Sequence, residues 1–108
     1  MADLPRRKKD ATEPTGEGRR EPAKVEIYTW RFCPYCIRAK GLLDRKGVTY
    51  NEYLIDGDET ARQAMMRRAE GRSTVPQIFI NNRGIGGCDN LMELDSTGWL
   101  DQMLGIEA

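Results

Sequence analysis

The sequence contains no histidine and only three cysteines among its 108 residues. Without histidine, a nucleophile activated by a Cys–His pair is excluded. A structural zinc site needs four protein ligands, and three cysteines cannot complete one without a carboxylate or a second subunit. Three is also too few and too odd a number for a secreted disulfide scaffold. We therefore expect a reducing compartment, the cytoplasm, and no bound metal.

Long apolar runs and an excess of charge are also missing. No stretch approaches the ~20 apolar residues of a membrane-spanning helix. The basic start of the chain has no apolar segment behind it, so we expect no secretory signal. The 17 basic and 17 acidic residues cancel, which argues against a general nucleic-acid or membrane-surface role.

Residues 1–23 are rich in charge, proline and glycine and contain few apolar side chains. Such a segment cannot bury enough apolar surface to offset the entropy of ordering it. We predict a disordered charged tail over residues 1–23 and a single domain over residues 24–108.

The rest of the chain alternates between strand-like and helix-like patterns. Pro34 suits the first turn of a helix, Gly47 its left-handed end, and Asp56 the N-cap of the next helix. The predicted order is β-α-β-α-β-β-α, an α/β fold with a mixed four-stranded sheet flanked by helices. The elements are a strand at 24–30, a helix from 34 to 47, a strand at 48–55, a helix ending at 71, a strand at 75–80, a return strand around 85 and a helical region from 89 that is interrupted at 96–98.

Cys33 and Cys36 stand two residues apart where the first strand gives way to the first helix. The position of Cys33 is that of a helix N-cap, where backbone N–H groups and the helix dipole stabilise a thiolate. Cys36 falls on the inward face of the same helix. This asymmetry predicts an exposed attacking thiol at Cys33 and a resolving thiol at Cys36.

Two further stretches accompany the "FCPYC" motif of residues 32–36. They are "STVPQIFI" at residues 73–80 and "GGCDN" at residues 86–90. In identity, order and spacing, the three motifs resemble those of the glutaredoxin family, and the resemblance covers roughly residues 24–106. It implies a thioredoxin-like fold and a glutathione-dependent thiol–disulfide oxidoreductase.

The resemblance also implies roles for the two cysteines. Cys33 would be the nucleophile that takes the glutathionyl group from a mixed disulfide. Cys36 would be needed to reduce protein disulfides directly. Glutathione would be the electron donor, and the partners would be glutathionylated or disulfide-containing proteins. We expect a monomer.

A glutathione site follows from the same resemblance. Pro76 matches the family's cis-proline, although an ordinary edge-strand proline is the alternative. Asp89 would otherwise serve as a simple helix cap. The expected binding residues are Arg31, Tyr35, Gln63, Thr74, Val75, Pro76, Gly87, Cys88, Asp89 and Asn90.

The sequence departs from the family at Trp30, where many relatives carry a lysine that contacts glutathione. Arg31, the next residue, is the expected replacement for that charge at the glycyl carboxylate. Gln63 falls on the second helix, where relatives place a glutamine or a basic contact. Trp30 is either a core residue or an aromatic residue at the rim of the site. Cys88 is either a small packing residue or a site of regulatory oxidation.

Two other functions fit parts of the pattern. Some family members bridge a [2Fe–2S] cluster between two subunits through the first cysteine and glutathione. Those members often carry a CGFS-type motif, whereas this chain has "CPYC". A thioredoxin, reduced by a flavoprotein, usually carries CGPC, and "GGCDN" would then lack a purpose.

Overall fold

The computed structural model describes residues 23–106, so the tail predicted for residues 1–23 lies almost wholly outside the described residues. Ala23, its last residue, packs against the core. Four strands and four helices follow the predicted order. They are β1 (Val25–Thr29), α1 (Pro34–Arg45), β2 (Asn51–Leu54), α2 (Glu59–Arg68), β3 (Gln77–Ile80), β4 (Arg83–Gly86), α3 (Cys88–Thr97) and α4 (Trp99–Leu104).

The four strands form one mixed sheet in the order β2-β1-β3-β4. β1 and β2 are parallel, whereas β3 is antiparallel to both β1 and β4. The predicted hairpin between β3 and β4 is confirmed. Its turn places Asn81 and Asn82 at positive φ, a conformation that asparagine tolerates better than most residues.

The predicted signals at the ends of α1 are confirmed. Cys33 is the N-cap, Pro34 occupies the first turn, and Gly47 follows the C-cap with a φ of +74°. The final helical region breaks at Gly98, which has a φ of +86° and separates α3 from α4. Within residues 23–106, no helix has the length and apolar character needed to cross a membrane.

All five residues of β1 are buried, so both faces of the strand are covered. Helices cover both sides of the sheet. Val25 and Ile27 pack into the larger core cluster with residues of α1, α3 and α4. Tyr28 packs into a second cluster with residues of α2. Glu26 is buried because Arg68, at the end of α2, binds its carboxylate at 2.9 Å.

The predicted starts of β2, β3 and α2 are wrong. β2 and β3 each begin later than their β-rich sequences predict, at Asn51 and Gln77. The N-cap of α2 is Asp58 and not Asp56, since Asp58 Oδ1 accepts a hydrogen bond from the backbone N–H of Ala61 at 3.0 Å. Gly57, with a φ of +76°, continues the turn and moves the first helical residue to Glu59.

Candidate active site

The cysteine pair lies where the two parallel strands end. The backbone N–H of Ile55, after β2, donates to the carbonyl of Thr29, the last residue of β1, at 2.9 Å. The chain then turns through residues 30–33 and enters α1. The first cysteine is thereby placed at the amino end of a 12-residue helix whose inward face packs on the sheet.

Cys33 caps that helix with its side chain. Its Sγ accepts a hydrogen bond from the backbone N–H of Cys36 at 3.2 Å. An N–H donor together with the positive end of the helix dipole favours negative charge on this sulfur. The prediction of an exposed Cys33 is wrong, because only 7% of the residue is accessible. Folding the sulfur back over the helix end to make the cap hydrogen bond removes it from bulk solvent.

Cys36 is completely buried, as predicted from its place on the inward face of α1. Burial, followed by a hydrogen bond between the Cys36 and Cys33 side chains, raises the pKa of the Cys36 thiol to about 12. Desolvation disfavours a thiolate much more than a neutral thiol. Cys36 therefore holds its proton at neutral pH.

A second segment reaches the site just before β3. The peptide bond between Val75 and Pro76 is cis, and β3 is an interior strand, so the alternative of an edge-strand proline is wrong. Gln77 is 2% exposed, and its side-chain amide donates to the carbonyl and hydroxyl oxygens of Thr74 at 3.0 and 3.3 Å. Those bonds fix the loop that precedes the cis bond.

The third segment is the start of α3. Gly87 is the N-cap, and its backbone N–H donates to Asn90 Oδ1 at 3.0 Å. Asp89 is therefore not the cap, contrary to the alternative drawn from the sequence, and its side chain is exposed. Gly86 has a φ of +111°, and a methyl group there would lie 2.8 Å from Arg72 Nη1 and would overlap Asn90. Glycine thus allows Arg72 and Asn90 to approach the same backbone.

An open cavity of about 320 Å³ joins these segments. Eight of the predicted glutathione-binding residues line it, and two more residues, Arg72 and Gln77, complete the lining. The eight are Tyr35, Thr74, Val75, Pro76, Gly87, Cys88, Asp89 and Asn90.

Comparison with known proteins decides the family. The family model described as glutaredoxin matches residues 25–85, more than half of the chain. The chain belongs to the glutaredoxin family. Members of this family are glutathione-dependent thiol–disulfide oxidoreductases, and the protein is therefore an enzyme of this class.

Individual relatives agree with the family assignment. The chain is 70% identical over 82 residues to a probable glutaredoxin of Synechocystis sp., covering 76% of this chain and 75% of that protein. It is 56% identical over 82 residues to glutaredoxin 3 of Escherichia coli K12, covering 76% of this chain and 98% of the relative. The crystal structure of a buckwheat glutaredoxin–glutathione complex superposes with a TM-score of 0.71 at 32% identity, covering 77% of each chain.

Two predicted glutathione contacts lie outside the lining of this cavity. Gln63, on α2, donates its amide to Glu59 Oε2 at 2.7 Å. Arg31 is exposed, and its backbone N–H lies 3.5 Å from Asp56 Oδ2. Trp30 is not a core residue, since 44% of it is accessible and it lines a different cavity.

Cys88 packs in the main core and also faces the cavity, with 4% of the residue accessible. This agrees with the interpretation of Cys88 as a packing residue. Burial raises the pKa of its thiol, so it is a poor nucleophile beside Cys33. Over residues 23–106, no three His, Cys, Asp or Glu side chains are grouped so that they could hold one metal ion.

Gln77 is a lining residue that the sequence did not predict, and Arg72 is one that it did not distinguish from the neighbouring arginines. Gln77 is the single polar residue in the otherwise apolar strand "QIFI", directly after Pro76, and a polar residue at such a buried position is itself a signal. Arg72 had no comparable signal, since it is one of several arginines in the stretch from Arg62 to Arg72.

Proposed function

We propose that the protein removes glutathione from protein mixed disulfides and also reduces protein disulfides, with Cys33 as nucleophile and Cys36 as resolving cysteine. The observation that carries this proposal is the 3.2 Å hydrogen bond from the Cys36 N–H to Cys33 Sγ at the amino end of α1. That donor and the helix dipole support a thiolate at Cys33. The Cys36 thiol, whose pKa is raised to about 12, keeps its proton and does not compete in the first attack.

Removal of glutathione from a protein needs only Cys33. Its thiolate attacks the glutathione sulfur of the mixed disulfide, forming a bond between Cys33 and glutathione while the protein thiolate leaves and takes a proton from water. A glutathione thiolate then attacks the glutathionyl sulfur. Oxidised glutathione forms, and Cys33 returns as a thiolate.

Reduction of a protein disulfide needs both cysteines. Cys33 attacks one substrate sulfur, and the other leaves as a thiolate. Cys36 then transfers its proton to the substrate thiolate already released and attacks Cys33 Sγ, which releases the second substrate sulfur as a thiolate and forms a Cys33–Cys36 disulfide. Two glutathione molecules restore the dithiol and become oxidised glutathione, so both electrons come from glutathione.

The cavity lined by Tyr35, the loop before β3 and the start of α3 supplies groups suited to glutathione. Val75 precedes the first paired residue of β3, so its backbone is available to pair with an extended ligand. The N–H groups at the start of α3 suit the γ-glutamyl carboxylate. The γ-glutamyl end of glutathione would be bound by Gly87, Cys88, Asp89 and Asn90. The middle of glutathione would lie against Tyr35, Thr74, Val75 and Pro76.

Arg31 and Gln63 complete the proposed site at the glycyl carboxylate. Both side chains are exposed, and neither lines the cavity in the described residues. Their proposed role requires glutathione to extend beyond the cavity toward α2. We further propose that the enzyme acts as a cytoplasmic monomer on glutathionylated and disulfide-containing proteins.

Single cysteine variants test the assignment. Cys33→Ser should abolish glutathione-dependent turnover of a glutathionylated peptide, because the nucleophile is lost. Cys36→Ser should retain much of that activity but lose reduction of an intramolecular protein disulfide. Equal losses in the two variants on the glutathionylated peptide would contradict the proposed division of roles.

A further inference from the structure

A second cavity, of about 410 Å³, opens on the other loop at the ends of the parallel strands. In the register of β1 and β2, Thr29 lies beside Leu54. The residues that follow these two therefore meet at one edge of the sheet. Trp30 comes from the β1 side, and residues 55–59 together with Arg62 complete the lining.

The walls of this second cavity are acidic. Three carboxylates, Asp56, Asp58 and Glu59, face one guanidinium, Arg62. Even with the neighbouring Arg31 included, three negative charges outnumber two positive ones. Their described contacts leave acceptor capacity: Asp58 uses Oδ1 for the cap of α2, and Glu59 uses Oε2 for Gln63 and Arg62. Asp56 has only the 3.5 Å approach of a backbone N–H.

Large apolar side chains are exposed between this acidic cavity and the reactive cysteine. Phe32, the residue directly before Cys33, is 91% accessible. Trp30 is 44% accessible and also lines the acidic cavity. On the helix side of Cys33, Tyr35 and Ile37 are 55% and 59% accessible. Apolar surface of this kind is typical of a protein-binding site.

We propose that Trp30, Phe32, Asp56 and Glu59 form a docking surface for the polypeptide of the substrate, and that this surface favours substrates with lysine or arginine close to the reactive cysteine. The proposal rests on the function proposed above. A cationic side chain would lie against the face of Trp30 and within reach of the carboxylates. The remaining polypeptide would cover Phe32, which is continuous in the chain with the nucleophile.

A pair of glutathionylated peptides tests this selectivity. The peptides are identical except at one position near the cysteine, which is lysine in one and glutamate in the other. With glutathione as reductant, we expect kcat/KM to be about fivefold higher for the lysine peptide at low salt, as exposed charge pairs allow. The preference should shrink in 0.5 M NaCl. The Debye length is then only about 5 Å, and the attraction between exposed charges farther apart than this is largely screened.

The variant Asp56→Asn/Glu59→Gln should reduce the preference to less than about twofold, because it removes both the attraction of the lysine peptide and the repulsion of the glutamate peptide. Trp30→Ala should reduce turnover of the lysine peptide as well. Glu93→Gln is the matched control, since Glu93 is an exposed carboxylate on α3 that lines a separate groove beside β4. It should leave the preference unchanged.

The possible failures are distinguishable. Equal kcat/KM for the two peptides, with normal turnover, would overturn the docking surface and leave the proposed function intact. A preference that persists in Asp56→Asn/Glu59→Gln would also overturn it. No turnover of either peptide by the folded wild-type enzyme would overturn the proposed function and this inference with it.

Discussion

The backbone N–H of Cys36 donates a hydrogen bond to Cys33 Sγ at 3.2 Å, so the two cysteines are coupled through the first turn of one helix. The same turn that supports negative charge on Cys33 buries the Cys36 thiol completely. One helix end thus gives the two sulfurs different surroundings, with an N–H donor at Cys33 and complete burial at Cys36.

The reactivity of Cys36 should follow its raised pKa. In a Cys33→Ser/Cys88→Ser variant, Cys36 is the only thiol, and burial, the first cause of its raised pKa of about 12, remains. Because only the thiolate is alkylated, its rate with iodoacetamide at pH 7 should be about a thousandfold below that of an ordinary cysteine. The rate should rise about tenfold per pH unit through pH 10. Mass spectrometry follows the extent of alkylation. An alkylation rate that reaches a plateau below pH 9 would contradict the assignment.

The Glu26–Arg68 pair beneath α2 should contribute strongly to stability. Arg68 binds both carboxylate oxygens of Glu26, at 2.9 and 3.2 Å, and lies 4.0 Å above the ring of Phe79. Arg68→Met would leave the Glu26 carboxylate buried without this partner, and we expect unfolding in urea to lose about 3 kcal/mol. A Glu26→Gln/Arg68→Met protein should recover more than about 1 kcal/mol.

The exposed pair of Glu59 and Arg62 provides the control for that measurement. Their 3.3 Å contact lies within one turn of α2 and is open to solvent. Arg62→Met should therefore change the free energy of unfolding by less than about 0.5 kcal/mol. A comparable loss in the two single variants would show that the buried position of Glu26 is not what matters.

Replacing Gly86 should disturb both stability and ligand binding. Gly86→Ala adds a methyl group at a φ of +111°, against Arg72 and Asn90. Since Asn90 caps α3 through the Gly87 N–H, we expect a loss of about 2–3 kcal/mol and a raised KM for glutathione. Urea unfolding and steady-state kinetics measure the two effects.

Gly47→Ala separates crowding from backbone strain. Gly47 also has a positive φ, +74°, but an added methyl group there meets nothing within 4 Å. This variant should lose about 1 kcal/mol and keep the wild-type KM. If Gly86→Ala also lost only about 1 kcal/mol and kept the wild-type KM, the close approach of Arg72 and Asn90 to Gly86 would not contribute to glutathione binding.

Local sequence signals predicted several helix ends and turns correctly, because each of these signals acts within a few residues. The cap at Cys33, the proline at Pro34 and the turn at Asn81–Asn82 each depend on φ preferences and nearby N–H groups, and the structure has all three. The cap of α2 is the exception. Asp56 and Asp58 are both suitable N-cap residues, and the sequence does not distinguish between them, whereas the turn at Gly57 selects Asp58.

The sequence by itself determined the order of the elements and the burial of Cys36. Its resemblance to the glutaredoxin family pointed to eight of the residues that line the cavity between Tyr35 and the start of α3. Only the tertiary structure decided which other surfaces are buried. Helices cover both faces of β1, so the charged Glu26 is buried with Arg68, which lies 42 residues away. Likewise, Arg72 lines one cavity with residues of α1 and α3, and Trp30 lines another with Asp56, because the sheet brings separate loops together. Such contacts have no local pattern, since they depend on which strands become neighbours.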